Sequence, residues 1–464
     1  MDLKTAALSR GRTVARVKTC WKNIVVRLVF YAAAFLIPAI LHFAVLARTP
    51  LLPGIDGPYY LVQVLYLMRH GYLKYPDPPL VFYGLLAVAT LFSPSFYALK
   101  VGISLFSGII GAVLAYHVHS QTGSWLAALA AVAVYAFSPA TFKLLQDFWK
   151  NLAGFVWVII AFHLFSNDSS LSRTRILAIV AVTILAGLTH ILDLGVIVLY
   201  ALLVAVGSVL YRDRNRFVLS LGVLLVLAMA LSMPSMTGGD VRKGVAFIKD
   251  FLIRPGVFTA AVYSQPWIIT SIAAALALII LTVDNRRLNR DKIPRLALAA
   301  TLIILNLPIY RAEWYLRFTL MDSLLTSVVL GYVIGVFKNK KQIIALSIII
   351  TASVCWMSTD LLWRGLATSI PPPEYEEMKI IIDKMPKGTA IIVPNTKIRY
   401  WIETLYEDVL ARPDITVLKS YDTTVYIFDK KQFFKLPPRS QPLFDGFFLK
   451  AYIVRRPPPH SSRL

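Results

Sequence analysis

The sequence predicts an all-α polytopic membrane protein of about eleven transmembrane helices, followed by a small C-terminal α/β domain outside the membrane. Three observations carry that prediction. Hydrophobic residues make up 57% of the 464 positions and mean hydropathy is +0.65, more apolar surface than a water-soluble domain can cover. Apolar runs of spanning length recur as far as residue 362. The basic residues fall in short clusters between those runs, where Lys and Arg orient helices by keeping their loops in the cytoplasm. A net charge of +23 would suggest a nucleic-acid partner, but charge spread in this way is a topology signal, and no nucleic-acid binding is expected.

The N-terminal stretch carries Lys4, Arg10, Arg12, Arg16, Lys18, Lys22 and Arg27 ahead of an apolar run over 28–46. About twenty apolar residues suit a spanning helix better than a signal-peptide core, so this reads as a signal anchor with a cytoplasmic N-terminus. The first outer loop, 48–97, then holds Asp56, a helix-like run from Pro58 to His70, and the rigid turn Tyr75-Pro76-Asp77-Pro78-Pro79. The apolar piece at 80–93 is too short to cross and is expected to lie in the interface or re-enter. Further spans are expected at 98–118, 124–141, 151–166, 175–191, 192–210, 216–234, 265–283, 295–310, 314–336 and 342–362. With those spans, the basic clusters at 173–175, 211–216, 284–292 and 337–341 all fall in the cytoplasm. The Asp56 loop, residues 143–150, the turn 189–193 and the loop 235–264 then share the outer face.

Composition changes at Pro371-Pro372-Pro373, a stiff linker that divides a transmembrane domain, 1–370, from a second domain, 371–464. The second domain is read as helix 374–385, strand 390–393, helix 400–410, strands 415–418 and 424–428, and a disordered tail from Arg455. The two cysteines, Cys20 and Cys355, are too few and too far apart for a disulfide framework. The overall expectation is a multi-pass protein of the cell membrane.

Chemistry concentrates in the outer turns. Asp56 can N-cap the helix at Pro58, since Asp is a favoured cap and Pro suits the first turn, or act as a general base; the two roles are compatible. Asp147 sits just before a span and can cap it, with Lys143 and Lys150 beside it as phosphate ligands. In Thr189-His190-Ile191-Leu192-Asp193, His190 and Asp193 suit the dipoles of the helix ends, yet ionisable groups at this depth are also functional candidates. Arg311, Glu313 and Arg317 form a surface ion-pair group or a phosphate site, for which the planar guanidinium offers two parallel donors. Arg242 and Lys243 are a weaker phosphate candidate. The sequence has no nucleotide-type Gly-rich loop, no His-Glu-x-x-His and no Gly-x-Ser-x-Gly.

Taken in order, these stretches resemble the GT-C superfamily of membrane glycosyltransferases, which includes protein O-mannosyltransferases and the aminoarabinose transferases that act on lipid A. The residues carrying the resemblance are Asp56 with Tyr59 and Tyr60, Arg69-His70-Gly71, Pro78-Pro79-Leu80, Asp147 ahead of a span, Gly187-Leu188-Thr189-His190, and Arg317-Phe318. It covers roughly residues 24–340. It implies a polyprenyl (dolichyl) phosphate-linked sugar as donor, transferred with inversion to a protein, glycan or lipid acceptor, with the bilayer as a further partner. Asp56 would be the base, assisted by Asp147, and His190, Arg311, Arg317 and Lys150 would hold the donor phosphate. The second outer loop has a single acidic residue where the family carries an Asp-Glu or Asp-x-Asp pair, so a divalent metal is only weakly supported and no other cofactor is expected. The alternatives are a transporter or lipid flippase using the same charged groups, or a non-catalytic scaffold presenting residues 374–430. Neither an inverted repeat nor midplane charge, which transporters commonly show, is found in the sequence.

Overall fold

The computed structural model describes residues 3–93, 95–167, 171–232, 265–284, 292–307, 309–337, 339–413, 421–432, 437 and 440–455. The loop expected at 235–264 with Arg242 and Lys243, the strand expected at 415–418, and the tail beyond Arg455 lie outside them. In chain order the helices are α1 (Leu3–Leu46), α2 (Asp56–His70), α3 (Leu80–Phe92), α4 (Phe96–Thr122), α5 (Trp125–Phe137), α6 (Pro139–Asp147) and α7 (Trp149–Ser166). They continue as α8 (Arg173–Thr189), α9 (Ile191–Leu210), α10 (Arg214–Ser232), α11 (Gln265–Asp284), α12 (Lys292–Leu305), α13 (Ala312–Val336), α14 (Lys340–Met357) and α15 (Thr359–Arg364). The C-terminal region adds α16 (Pro372–Lys384), β1 (Thr389–Ile392), α17 (Thr396–Glu403), β2 (Val409–Leu410), β3 (Thr423–Asp429), β4 (Gln441–Asp445) and β5 (Leu449–Arg455).

Contacts divide the chain into two units. The first comprises Met1–Val45, Asp77–Val81 and Ile103–Arg364, and the second Leu46–Pro76, Phe82–Gly102 and Gly365–Leu464. Much of the segment 48–97 therefore packs with the C-terminal region, a grouping that no local pattern in the sequence announces.

Among the described residues, seven helices are long and apolar enough to cross a membrane, or eight if α5 and α6 count as one broken span. They fit a multi-pass membrane protein. The expected number was about eleven. The segments expected at 175–191 and 295–310 are helical, as α8 and α12, but with 17 and 14 residues they fall short of the roughly twenty that a bilayer requires. The segment expected at 216–234 is helical as α10 and is also outside the seven. Leu80–Phe92 is a 13-residue helix, as its short apolar run predicts. The span expected at 124–141 bends by 51° where Pro139 lacks an amide hydrogen and Ser138 caps the new helix through Thr141 N, 3.2 Å away.

In the first unit, α13 is the central helix, packed by α5, α6, α11 and α12, with Leu324, Leu325, Val328 and Val329 fully buried. α1 and α14 instead leave apolar side chains such as Ile40 and Ile348 more than 60% exposed, as lipid-facing helices do. Two arginines of the basic clusters terminate α7. Arg175 donates to the carbonyls of Leu164 and Asn167, Arg216 donates to Phe165 O at 2.9 Å, and Asp213 pairs with Arg216 at 2.6 Å. Cations at a helix C-terminus satisfy carbonyls that the helix itself cannot.

The second unit contains a five-stranded sheet ordered β2-β1-β3-β5-β4, parallel from β2 to β3 and antiparallel from β3 to β4. Ile392, Tyr426 and Phe428 form a core cluster in it. The expected helix 400–410 is displaced: α17 spans 396–403, because Asn395 caps it by accepting from Lys397 N at 3.0 Å. Strands β4 and β5 were not anticipated. Pro437, Pro438 and Pro442 mask them, although Leu449, Ala451 and Ile453 alternate as a half-buried strand should. Phe96, Tyr375 and Trp401 meet pairwise at 5.4–5.6 Å, and Trp401 donates to Ser369 Oγ at 2.8 Å, which ties α16, α17 and the start of α4 together.

Candidate active site

Asp56 belongs to the second unit. The chain approaches it through buried residues 51–54, and Gly54, at φ 65°, bonds its amide to Ala367 O at 2.9 Å. The following residue pair is constrained sterically, because a Cβ on Gly57 would stand 2.8 Å from Leu52 Cβ. Asp56 is not the N-cap of a helix at Pro58. The helix begins at Asp56 itself, Ile55 occupies the cap position without a side-chain bond, and the half-buried carboxylate lies in the first turn, where the helix dipole favours negative charge.

Beyond Asp56, α2 carries a group of residues that sequence reasoning largely missed. Tyr59, Tyr75 and Tyr400 stand with ring centroids 5.2–6.0 Å apart. Gln63, fully buried, donates to Tyr59 Oη at 3.0 Å and to Tyr75 O at 2.8 Å, and accepts from Tyr75 N at 3.0 Å. Tyr75 Oη donates to Glu403 at 2.6 Å, and Lys74 and Arg399 lie 3.5 and 3.7 Å from the same carboxylate. Burial pushes the Glu403 carboxyl above the usual range, and Lys74, Tyr75 and Arg399 oppose that shift. Glu407 pairs with Arg69 at 3.2 Å and bonds to His70. Slight burial works against it, but the hydrogen bonds and charges of His70 and Arg69 hold its carboxyl below the ordinary value. The signal that could have exposed this group is amphipathicity in 396–403, where Ile398, Trp401 and Ile402 make one apolar face.

The other candidates lie in the first unit, around the break between α6 and α7. Asp147 is the last residue of α6 and does not cap α7; Phe148 fills that position without a side-chain bond. Lys143, one turn back, reaches Asp147 Oδ2 at 2.5 Å. Lys150 Nζ donates to both oxygens of Asp77 at 2.6 Å, in a pair whose side chains are only 10% and 8% exposed. Asp77, which the sequence presents only as part of a proline turn, is thus the counter-charge of Lys150. Arg317, on α13, stands 5.8 Å from the rings of Phe148 and Trp314, which brings it to the same break. Arg311 is half-buried at the residue preceding α13.

The face of α7 that carries Lys150 continues through Gly154 and Trp157, at positions i, i+4 and i+7. There it meets the turn between α8 and α9. His190 is extended, and its Nδ1 accepts from Leu192 N at 3.2 Å, so it caps α9. Asp193, fully buried, lies 3.9 Å from His190 Nδ1, and among the described residues neither of its oxygens has a hydrogen-bond partner. It packs so tightly on α7 that a Cβ at Gly154 would fall 2.1 Å from its Oδ2. Trp157 Nε1 donates to Thr189 Oγ1 at 2.9 Å, and both residues line an apolar cavity of about 180 Å³ with Leu80, Phe106, Ile109 and Ala153. Asp147, Lys150, Arg317 and His190 therefore follow one another along α7, with Asp77 among them. Among the described residues, no group of three or more His, Cys, Asp or Glu side chains is arranged to hold a metal ion.

No protein-family model matches the chain, and no curated protein matches it in sequence. Solved structures do share its architecture. ArnT from Cupriavidus metallidurans bound to undecaprenyl phosphate is similar at a TM-score of 0.60 over 92% of this chain and 97% of its own, with 13% identity. The apo state of ArnT from the same organism is similar at 0.57 over 95% and 98%, with 12% identity. The fold of this chain is thus that of ArnT.

Proposed function

We propose that this chain is an integral-membrane glycosyltransferase that moves a single sugar, a hexose in the simplest case, from a polyprenyl monophosphate to an acceptor hydroxyl with inversion. The observation that carries the reading is a fold likeness running almost the full length of both chains to an ArnT structure that holds undecaprenyl phosphate. In this reading Asp56 accepts the proton of the acceptor hydroxyl while that oxygen attacks the anomeric carbon. The bond from that carbon to the lipid phosphate breaks, and the phosphate leaves with the electron pair. Arg317 and Arg311 stabilise its charge as cations, and His190, whose Nδ1 accepts from Leu192 N, donates to it through Nε2–H; preorganised donors and cations at a leaving group are the largest plausible catalytic contribution here. Lys150 exchanges its Asp77 partner for the lipid phosphate, and Asp147 orients the acceptor. Transfer takes place on the outer face, with the N-terminus in the cytoplasm and the C-terminal domain outside.

The test is transfer of labelled sugar from polyprenyl phosphate in membranes. Asp56→Asn should lower it about a hundredfold or more, the low end for loss of a general base, at unchanged expression. A fully active Asn variant would remove Asp56 from catalysis, and an inactive parent would remove the glycosyltransferase reading. Sidedness is tested separately: a cysteine beside Asp56 should react with an impermeant reagent from outside, and one at Arg214 should not.

A further inference from the structure

The C-terminal region grips α2 at both ends. At its far end, Arg69, His70 and Lys74 bind Glu407, with Lys74 Nζ donating to its carbonyl at 3.0 Å. At the Asp56 end, α17 presents Tyr400 to Tyr59, which stands one turn along α2 from Asp56. Ordinary packing would not bury Glu403, since a buried carboxylate is costly unless it is paired. Its bond to Tyr75, and those of Gln63 to Tyr59 and Tyr75, hold those two rings in fixed relative positions, and the Tyr400 ring packs beside both, with centroids at 5.2 and 6.0 Å. Tyr59, Tyr75 and Tyr400 all remain partly exposed. Rigid rings with apolar faces and polar edges, beside a carboxylate, suit a ligand of the same mixed character: a sugar ring has apolar C–H faces and a rim of hydroxyls.

We propose that Tyr400 of α17, with Tyr59, forms the wall against which the acceptor rests, so that the C-terminal region selects the acceptor, and that this acceptor is a saccharide. Tyr400 is a positioning residue in this scheme: it places the acceptor for Asp56 and takes no part in the proton transfer. The inference rests on the glycosyltransferase reading above.

The experiment titrates two solubilised acceptor preparations from the host membrane, its glycolipid fraction and its protein fraction, against labelled polyprenyl-phosphate sugar. Label should enter the glycolipid fraction. Tyr400→Ala should raise KM for that fraction about tenfold, the equivalent of one lost aromatic contact, while KM for the donor changes less than about twofold. Tyr400→Phe keeps the ring and should restore the parental KM. Tyr400→Leu fills the space without an aromatic face; it should behave like Ala and carries the test if Ala does not fold. An active parent whose acceptor KM is the same in Ala and Leu variants overturns this inference alone. Label entering only the protein fraction overturns the saccharide assignment. A parent that transfers nothing overturns both this inference and the function it rests on.

Discussion

Replacing Asp77 by Asn takes away the carboxylate that receives Lys150 Nζ on both oxygens at 2.6 Å. The side chains are 8% and 10% exposed, so water can do little to replace the lost charge. Removing one member of a buried ion pair costs about 3–5 kcal/mol, because the remaining charge stays desolvated. Lys150→Met should cost a similar amount by stranding Asp77. The double variant, Asp77→Asn with Lys150→Met, should cost clearly less than the two singles combined, with a coupling of at least about 1 kcal/mol. The assay is thermal unfolding of the detergent-purified protein, repeated at low and high salt, where a buried pair should be nearly insensitive. Simple additivity, or single variants costing less than about 0.5 kcal/mol, would refute the pairing. The cycle also bears on function: if Lys150 must exchange Asp77 for a lipid phosphate, Asp77→Asn should tighten donor binding even as the fold weakens.

Gly154→Ala should destabilise by about 1–3 kcal/mol through overpacking against Asp193, and pairing it with Asp193→Ala should recover most of the loss in the same thermal assay. An unaffected Gly154→Ala variant would mean that α7 and α9 do not approach there. Because Asp56 opens α2 without capping it, Asp56→Asn should lose only about 0.3–1 kcal/mol of dipole interaction, too little for unfolding to account for a hundredfold fall in transfer. Glu403 gives a pH prediction. Its carboxyl holds a proton more tightly in the folded state, so its stabilising contribution is complete below the ordinary glutamate value of 4.5 and is lost as pH rises through the higher folded value. Glu403→Gln should flatten the pH dependence of unfolding over that window; an unchanged slope would show that another group is responsible.

Local chemistry is what the sequence by itself determined. Apolar runs named the helices, and Asn395 is a cap residue just ahead of one of them. Ser138-Pro139 marks the break between α5 and α6, because a missing amide hydrogen acts wherever it occurs, although it reads only faintly inside an apolar run. The order of polar turns at 56, 147, 190 and 317 was also legible, since charge stands out against apolar neighbours. Helix ends were less so: Asp56 and Asp147 both read as caps, and in the structure one opens a helix and the other closes one. Only the tertiary structure decided the partners. Asp77 meets Lys150 across 73 positions, and Tyr75 meets Glu403 across 328. No periodicity encodes such pairs, because a buried charge needs an opposite charge or a hydrogen bond nearby in space, and sequence distance does not enter that requirement.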